Sequence, residues 1–281
     1  MLKIAIPNKG SLSEEAVRIL GDAGYNVRRS GRELMLADVE NDVEFVFLRP
    51  RDIAIYVSNG VLDLGITGRD LAVDSGAEIE ELLPLGFGKS NFYYAVPDGS
   101  ILTPERFHGL CIATSYPNLV AADLDKRGVK ARVVRLDGAI EISIELGVAD
   151  LIADVVQTGK TMKEAGLKTV GEPVIQSEAV LIGGVEKELD ARAQAFLKRL
   201  QGIVVAREYV MVEYDVAEKN LEAACAVTPG IEAPTIAPLS RKGWVAVKAM
   251  SRKRDINKIM DDLSAMDARG IIITDIKTCR I

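Results

Sequence analysis

Short apolar segments alternate with helix-forming segments along roughly the first 185 residues, and this alternation restricts the possible folds more than any other feature. Such an order predicts βαβ units, which pair their strands in parallel and place helices on the sheet faces. The strand patterns cover residues 2–6, 45–48, 62–66, 91–96, 110–114, 131–136, 151–156 and 179–182. We therefore expect an α/β protein with parallel sheets.

Five of the turns that follow these strands carry basic, hydroxyl or glycine groups. They are Lys9-Gly10, Arg49 with Arg51, Thr67-Gly68-Asp70, Ser115-Tyr116 and Thr158-Gly159-Thr161. In parallel α/β sheets, ligands collect beyond the carboxyl ends of the strands. None of these turns is specific alone, but together they predict a crevice that binds a polyanion.

The segment ADLIADVVQTGKTMKEAGL at residues 149–167 contains the most informative of these turns. The turn has three features that suit a phosphate group. Thr158 and Thr161 offer hydroxyls, Gly159 lets the backbone approach closely, and the start of the next helix presents free N–H groups. Asp154, near the strand end, either accepts hydrogen bonds from sugar hydroxyls or holds the water shell of a cation. The plainer alternative is an ordinary turn in which threonine and glycine are cap and turn residues.

The pattern changes after about residue 208 to the order β-α-β-β-α-β, over about 73 residues, which is typical of a ferredoxin-like unit. We expect Ser251 to cap its second helix. Small domains of this kind bind effectors or pair into larger sheets, and a packing module without a ligand is the alternative. Four side chains near predicted element ends are candidates to contact a zwitterion: Asp215, Thr228, Thr235 and Thr274.

The composition argues against several classes of site. His108 is the single histidine, which excludes sites built on histidine pairs and disfavours a Ser-His-Asp triad. The three cysteines are far apart, so neither a disulfide framework nor a zinc-binding spacing is available. A net charge of −6 without any basic block disfavours binding to nucleic acid. The sequence therefore offers no metal ligands that we can assign.

Membrane and export signals are also missing from the pattern. The chain contains no apolar run near the ~18 residues that a membrane-spanning helix needs. The first residues, MLKIAIPNKG, lack the apolar core and small-residue cleavage site of a secretory signal. We therefore expect a cytoplasmic protein that does not associate with membranes.

A pattern of spaced residues in the segment that ends at Met162 resembles the long form of the ATP phosphoribosyltransferase family. The matching positions are Glu141, Gly147, Ala149, Ile152, Asp154, Val155, Thr158, Gly159, Thr161 and Met162. Four other stretches are similar to the family: IPNKGSLSE near the start, LRPRDI at 48–53, LGITGRD at 64–70 and IATSYPNL at 112–119. The likeness covers essentially the whole chain, including the C-terminal domain that separates the long form from the short form.

The resemblance implies a fold of two lobes similar to type II periplasmic binding proteins, followed by a ferredoxin-like regulatory domain that binds histidine. Lobe I would comprise residues 1–90 with 184–208, lobe II residues 91–183, and the regulatory domain residues 209–281. It also implies a homohexamer assembled from dimers.

The implied reaction joins ATP, through adenine N1, to 5-phosphoribosyl 1-diphosphate with Mg²⁺ and releases diphosphate. This is the first step of histidine biosynthesis, with histidine as feedback inhibitor. The phosphoribosyl group would be held by Glu141, Asp154, Thr158, Gly159, Lys160 and Thr161. The nucleotide and polyphosphate would be held by Lys9, Gly10, Arg49, Thr67, Gly68, Asp70 and Tyr116, with Arg69 as a further candidate. Asp215 and Thr235 would contact histidine.

Two other interpretations stay open at this point. A solute-binding protein with a sensor domain would have the same two lobes, although it would not require a phosphate-binding turn. A phosphoribosyltransferase that acts on a different acceptor base would share that turn. No covalent nucleophile is evident, which suits a reaction that depends on positioning and electrostatic stabilisation.

Overall fold

The structure is a computed structural model, and it describes residues 1–28, 31, 33–156, 159–185 and 188–280. The first elements are β1 (Leu2–Pro7), α1 (Ser11–Asp22), β2 (Met35–Asp38), β3 (Val43–Leu48), α2 (Pro50–Ser58), β4 (Leu64–Gly68), α3 (Arg69–Asp74) and β5 (Ile79–Pro84). Next come β6 (Ser90–Pro97), β7 (Cys111–Thr114), α4 (Pro117–Arg127), β8 (Arg132–Arg135), α5 (Ile142–Glu145), β9 (Leu151–Val156), α6 (Lys160–Glu164), β10 (Leu167–Ser177) and β11 (Ala179–Gly184). The last are α7 (Ala191–Glu208), β12 (Tyr209–Ala217), α8 (Leu221–Val227), β13 (Thr235–Pro238), β14 (Trp244–Arg252), α9 (Ile256–Ala265) and β15 (Arg269–Asp275).

The chain divides into two compact units, residues 1–21 with 25–194 and residues 22–24 with 195–281. The first unit contains a six-stranded and a five-stranded sheet, which we call the first and second lobes together with their helices. The second unit contains a four-stranded sheet. In the described part of the chain, no helix is both long enough and apolar enough to cross a membrane.

The first lobe is built on the strand order β2-β3-β1-β4-β11-β5. Strands β1, β3 and β4 are parallel, whereas β11 runs antiparallel to both β4 and β5. Helix α2 begins at Pro50, which is favoured in the first helical turn because it lacks an N–H group. Its residues Ile53 and Val57 are buried in one apolar cluster with Ala5 and Ile182 of the sheet.

The second lobe is built on the strand order β10-β6-β9-β7-β8. Strands β7, β8 and β9 are parallel, and β6 runs antiparallel to β9 and β10. Its core packs Phe92 and Tyr94 of β6 against Leu151 of β9 and Leu119 of α4. The amphipathic face of α4 therefore covers the sheet on the side where β7 leads into that helix.

Both lobes have the strand order of type II periplasmic binding proteins. Without the edge strand β2, the orders are β3-β1-β4-β11-β5 and β8-β7-β9-β6-β10. In each lobe one antiparallel strand arrives from the other lobe and is inserted beside the third parallel strand. The chain therefore crosses between the lobes twice, from β5 to β6 and from β10 to β11, and the expected two-lobed fold is confirmed.

The second unit contains the ferredoxin-like domain, with the antiparallel strand order β13-β14-β12-β15. The side chains of β12 alternate strictly between buried and half-buried, as expected for a sheet with helices on one face. Val212 and Tyr214 of β12 pack against Leu263 of α9. The predicted β-α-β-β-α-β order is confirmed.

The structure differs from the sequence-based expectation at several places. The sheets are mixed, because the strands that enter from the other lobe run antiparallel. Strands β2, β5 and β10 were not predicted, and β10 has a register shift between Val170 and Ile175 that interrupts any alternation. Strand β11 lies in the first lobe, so the return to that lobe occurs about five residues before the expected boundary at residue 184. Ser251 is not a helix cap but belongs to β14.

Candidate active site

The predicted phosphate-binding turn connects β9 to the five-residue helix α6. Gly159 precedes this helix with φ +71°, in the left-handed region that favours glycine. A Cβ atom there would meet only Val156, at 3.8 Å, so the backbone angle and not the space requires glycine. The side chains of Lys160 and Thr161 are exposed at the start of the helix. Thr158 lies outside the described residues.

A polar cavity of about 260 Å³ lies beside this turn. Its lining includes Glu141, Asp154, Gly159 and Thr161. Glu141 immediately precedes α5, so two separate segments of the second lobe meet at one cavity. Four of the six residues predicted to hold the phosphoribosyl group are therefore brought together. Lys160 borders the same turn, where its ammonium lies 3.7 Å from the carboxylate of Glu164.

Asp154 has an unusual electrostatic environment for a carboxylate. Burial raises its pKa from the ordinary 3.8 to about 6, although the N–H of Val155 opposes this by donating a hydrogen bond of 2.8 Å to Oδ1. The negative charges of Glu141 and Asp70 raise the pKa further. Both carboxylates thus repel the charged form of Asp154, and a positive charge placed beside Asp154 would be stabilised.

Asp70 is a buried carboxylate at the start of α3 in the first lobe. The hydroxyl of Ser177 donates to its Oδ1 at 2.7 Å and accepts from its backbone N–H at 3.0 Å. A Cβ on Gly68 would lie 2.5 Å from this Oδ1, so glycine is needed for the carboxylate to fold back over the strand end. Burial, together with the nearby negative charge of Asp70, raises the pKa of the Tyr116 hydroxyl. Two predicted nucleotide-binding residues from different lobes are therefore close to each other.

Lys9 and Arg49 follow neighbouring parallel strands of the first lobe. Pro7 of β1 lies opposite Leu48 of β3, and the N–H of Asn8 donates to the Leu48 carbonyl at 2.8 Å. Both basic side chains are exposed, and neither is ion-paired with any acid that the structure describes. Gly10 follows with φ +79° and accepts the first backbone bonds of α1. Two positive charges therefore stand beyond adjacent strand ends.

Two other predicted residues have their side chains engaged within the protein. Thr67 is fully buried, and its hydroxyl donates to the Pro50 carbonyl at 2.7 Å. The guanidinium of Arg69 forms paired hydrogen bonds of 2.8 and 2.7 Å with the carboxylate of Glu81. Arg69 is thus occupied by an ion pair within the first lobe.

The candidate effector residues divide in a similar way. Asp215 and Thr235 lie on the same face of the four-stranded sheet, because Asp215 is opposite Ala246 and Thr235 is opposite Lys248, two residues further along β14. Thr274 lies on β15 opposite Met211. Thr228 is fully buried and is hydrogen-bonded at 2.7 Å to the hydroxyl of Tyr214, so it belongs to the domain core.

Sequence patterns did not indicate Ser177 or the interlobe contacts of α3. Ser177 is the last residue of β10, and it reaches Asp70 across 107 positions of sequence. No local periodicity encodes a partner that distant. In the described part of the chain, no group of three or more His, Cys, Asp or Glu side chains is arranged to hold a metal ion.

The two lobes of type II architecture, with a polar cavity beside a glycine-threonine turn, define a ligand-binding α/β protein, which also carries a ferredoxin-like domain. A family model described as ATP phosphoribosyltransferase matches residues 49–202, and a model described as HisG, C-terminal domain, matches residues 206–278. The chain belongs to the ATP phosphoribosyltransferase family, whose reaction is the first step of histidine biosynthesis. The family resemblance and the function expected from it are confirmed.

Full-length relatives and one solved structure agree with this assignment. The chain is 59% identical over 284 residues to an ATP phosphoribosyltransferase of Salinibacter ruber and 55% identical over 281 residues to one of Corynebacterium jeikeium. Both matches cover 100% of each chain. A solved ATP phosphoribosyl transferase (HisG:HisZ) complex from Thermotoga maritima contains a chain that is 27% identical, with a TM-score of 0.64. That match covers 74% of this chain and 100% of the other.

Proposed function

We propose that the cavity beside β9 and α6 binds the phosphoribosyl group of 5-phosphoribosyl 1-diphosphate, and that the opposite wall of the cleft binds ATP. The observation that carries this proposal is the convergence of Glu141, Asp154, Gly159 and Thr161 on one polar cavity. A phosphate site beside two carboxylates suits a phosphorylated sugar better than it suits a neutral solute.

The 5-phosphate is held by the turn that precedes α6. Gly159 brings the backbone close, the hydroxyl of Thr161 donates a hydrogen bond, and Lys160 supplies positive charge. Thr158 supplies a second hydroxyl by its position in the family pattern. Hydrogen bonds to a charged phosphate contribute about 1.5–3 kcal/mol each.

Asp154 and Glu141 accept hydrogen bonds from the ribose hydroxyls and face the anomeric carbon. Adenine N1 attacks that carbon as its bond to the diphosphate oxygen breaks, with inversion, so positive charge develops on the sugar. Carboxylates fixed nearby stabilise this charge without reorganisation. The leaving diphosphate takes the electron pair of the broken bond, and no covalent nucleophile is required.

The nucleotide lies against the first lobe. Lys9 and Arg49 neutralise the triphosphate or the diphosphate, because their exposed charges lie beyond two adjacent strand ends, and Gly10 offers its backbone N–H group. Asp70 and Tyr116 contact the adenine and its polar groups. Thr67 and Gly68 support the site indirectly. The Thr67 hydroxyl fixes the end of the strand, and Gly68 leaves room for the Asp70 carboxylate to fold back over it.

Mg²⁺ fits this site as a companion of the substrate diphosphate. Mg²⁺ typically binds one or two carboxylates together with substrate phosphates and keeps several waters. Asp154 and Glu141, which both line the cavity, offer such ligands, and a cation beside Asp154 would favour its charged form. When bound, Mg²⁺ would neutralise charge that develops on the leaving diphosphate.

Residues 209–281 form the regulatory domain, which binds histidine and lowers the activity. Asp215 supports this assignment, because it is a half-buried carboxylate on the sheet face without helices and is able to pair with a cationic group. Thr235 lies on that face as well.

Lobe I is residues 1–90 with 184–208 and lobe II residues 91–183, apart from β11. The enzyme works in the cytoplasm as a homohexamer assembled from dimers, and neither nucleic acid nor a membrane is a partner.

Thr161→Ala tests the assignment of the phosphoribosyl cavity. We expect the KM for 5-phosphoribosyl 1-diphosphate to rise about tenfold to a hundredfold, because one charge-assisted hydrogen bond is lost. The KM for ATP should change little. Initial rates are followed by ultraviolet absorbance and diphosphate release while each substrate is varied in turn.

Thr161→Ser is the matched control, because it keeps the hydroxyl and removes only a methyl group. It should retain a KM for the sugar substrate close to that of the unaltered enzyme. An unchanged KM in Thr161→Ala, or an equal loss in both variants, would remove Thr161 from the site. Deleting residues 209–281 tests the regulatory assignment, which fails if an active truncated enzyme keeps its inhibition by histidine.

A further inference from the structure

Helix α3 directly follows β4 of the first lobe, but one of its faces is buried against the second lobe. Leu71 packs against the apolar cluster of the second lobe that contains Tyr116 and Leu119. One turn further on, Asp74 is 4% exposed and contacts the start of α4. The last turn of α3 is therefore the point where the lobes are joined by a buried charge.

The Asp74 carboxylate has partners from both lobes. Its Oδ1 accepts from the N–H groups of Asn118 and Leu119 at 3.0 and 3.1 Å, which are free donors in the first turn of α4. Its Oδ2 accepts from Arg51 Nη1 at 2.6 Å, and Arg51 belongs to α2 of the first lobe. The backbone carbonyl of Asp74 accepts a fourth bond, at 2.7 Å, from the Asn118 side chain. Asp74, in α3 of the first lobe, thus caps helix α4 of the second lobe while it is ion-paired to Arg51 of its own lobe.

Arg51 connects this pair to the proposed nucleotide site. Its guanidinium carbon lies 4.8 Å from the centroid of the Tyr116 ring, within the range of a cation–π contact. Tyr116 is the residue that precedes α4, so capping of that helix fixes its backbone. Burial and the nearby charge of Asp70 raise the pKa of the Tyr116 hydroxyl. The ring is therefore held at its face and at its backbone.

We infer that Asp74 and Arg51 form an interlobe clasp that positions Tyr116 for the nucleotide. They are positioning residues that act through Tyr116, and the inference rests on the nucleotide-binding role proposed for Tyr116 and Asp70. Arg51 was predicted from its turn to help bind a polyanion, whereas its ion pair commits it to Asp74. The clasp does not include α6 or the cavity beside it, so it should affect ATP selectively.

Asp74→Asn breaks the clasp with little change of shape. The amide oxygen still accepts from the N–H groups of α4, but the amide NH₂ then faces the Arg51 guanidinium as donor against donor. We expect the KM for ATP to rise about tenfold and the KM for 5-phosphoribosyl 1-diphosphate to stay within about twofold, since only one binding group is displaced. Arg51→Lys should raise the KM for ATP less than Asp74→Asn does, because an ammonium can replace the single nitrogen bonded to Asp74 but loses the stacking of the guanidinium on Tyr116.

Arg127→Met is the matched control. The side chain of Arg127 is 29% exposed, as is that of Arg51, and Arg127 is ion-paired to Asp123 within α4. The variant therefore tests the loss of a comparable ion pair away from Tyr116. Both KM values should be unchanged in this variant. If Asp74→Asn does not fold, Arg51→Gln takes its place with the same expected rise for ATP.

Tyr116→Ala, measured in parallel, separates the clasp from the proposed function. If Tyr116→Ala leaves the KM for ATP unchanged, the nucleotide assignment fails and the inference fails with it. If Tyr116→Ala raises that KM while folded Asp74→Asn or Arg51→Gln does not, the clasp alone is wrong. An equal rise in the KM of both substrates would also overturn it, because a general loss of structure would then explain the result.

Discussion

Asp154→Asn should make the substrate-free protein more stable at neutral pH, although it removes a residue that we place in the active site. The variant keeps the shape of the side chain, and its amide oxygen can still accept the 2.8 Å hydrogen bond from the Val155 N–H. What it removes is a negative charge that is mostly buried and lies close to the charges of Glu141 and Asp70.

The magnitude follows from the pKa of Asp154. Its rise from 3.8 to about 6 corresponds to about 3 kcal/mol, at 1.36 kcal/mol for each pKa unit. Because the folded-state pKa is raised, the folded protein binds the proton more tightly than the unfolded chain does. The stability from this group is therefore complete below pH 3.8 and is lost as the pH rises through about 6. The asparagine variant has no such loss.

The assay is thermal unfolding of both proteins without substrate, from pH 5 to pH 7.5. At pH 7.5 the variant should gain about 3 kcal/mol, which corresponds to a rise of roughly 6 °C or more in Tm for a chain of this size. At pH 5 the gain should fall to about half. Glu141→Gln is the matched control, because it removes one neighbouring charge and leaves Asp154 buried, so its gain should be smaller.

Two results would contradict the expected gain in stability of Asp154→Asn. A variant that is no more stable than the unaltered protein at pH 7.5 would show that burial of Asp154 is not unfavourable. A gain that stays constant between pH 5 and pH 7.5 would show that its origin is not the charge.

Three further predictions concern the binding of each substrate. The KM for 5-phosphoribosyl 1-diphosphate should rise up to about tenfold for each pH unit below about 6, because protonated Asp154 loses its charge, and a flat profile from pH 5 to 8 would contradict this. Gly159→Ala should lower stability by about 1–2 kcal/mol and raise the same KM, because its φ of +71° strains other residues; unchanged Tm and KM would disprove it. Gly68→Ala should raise the KM for ATP alone, because its Cβ would lie 2.5 Å from Asp70 Oδ1, and a rise for both substrates would count against the assignment.

Much of the fold could be predicted from the sequence where apolar runs are short and end in turn residues. β9 agrees with its predicted bounds, and α2 and α4 begin at prolines that favour a first helical turn. β10 could not be predicted, because Gly171 and Pro173 lie between two segments that pair with β6 in different registers. The antiparallel insertion of β6 and β11 is decided by pairing across the sheet, which no local pattern encodes.

The candidate site shows the same division. Asp154 and Gly159 stand out locally, as an acid in an apolar run and a glycine that begins a helix. Thr67 and Arg69 have equally suitable chemistry, but the Thr67 hydroxyl is bonded to the Pro50 carbonyl and the half-buried Arg69 guanidinium is bonded to Glu81. Asp74 lies 44 positions from its partner Asn118, so only the tertiary structure brings them together.

The most direct measurement is a crystal structure of the enzyme with 5-phosphoribosyl 1-diphosphate bound. We expect the 5-phosphate to lie against the backbone of residues 159–161 and the hydroxyl of Thr161, with the ribose hydroxyls bonded to Asp154. The diphosphate should point toward Lys9 and Arg49. Density for the sugar phosphate elsewhere, or a reversed orientation with the diphosphate on Gly159, would contradict the proposed binding site.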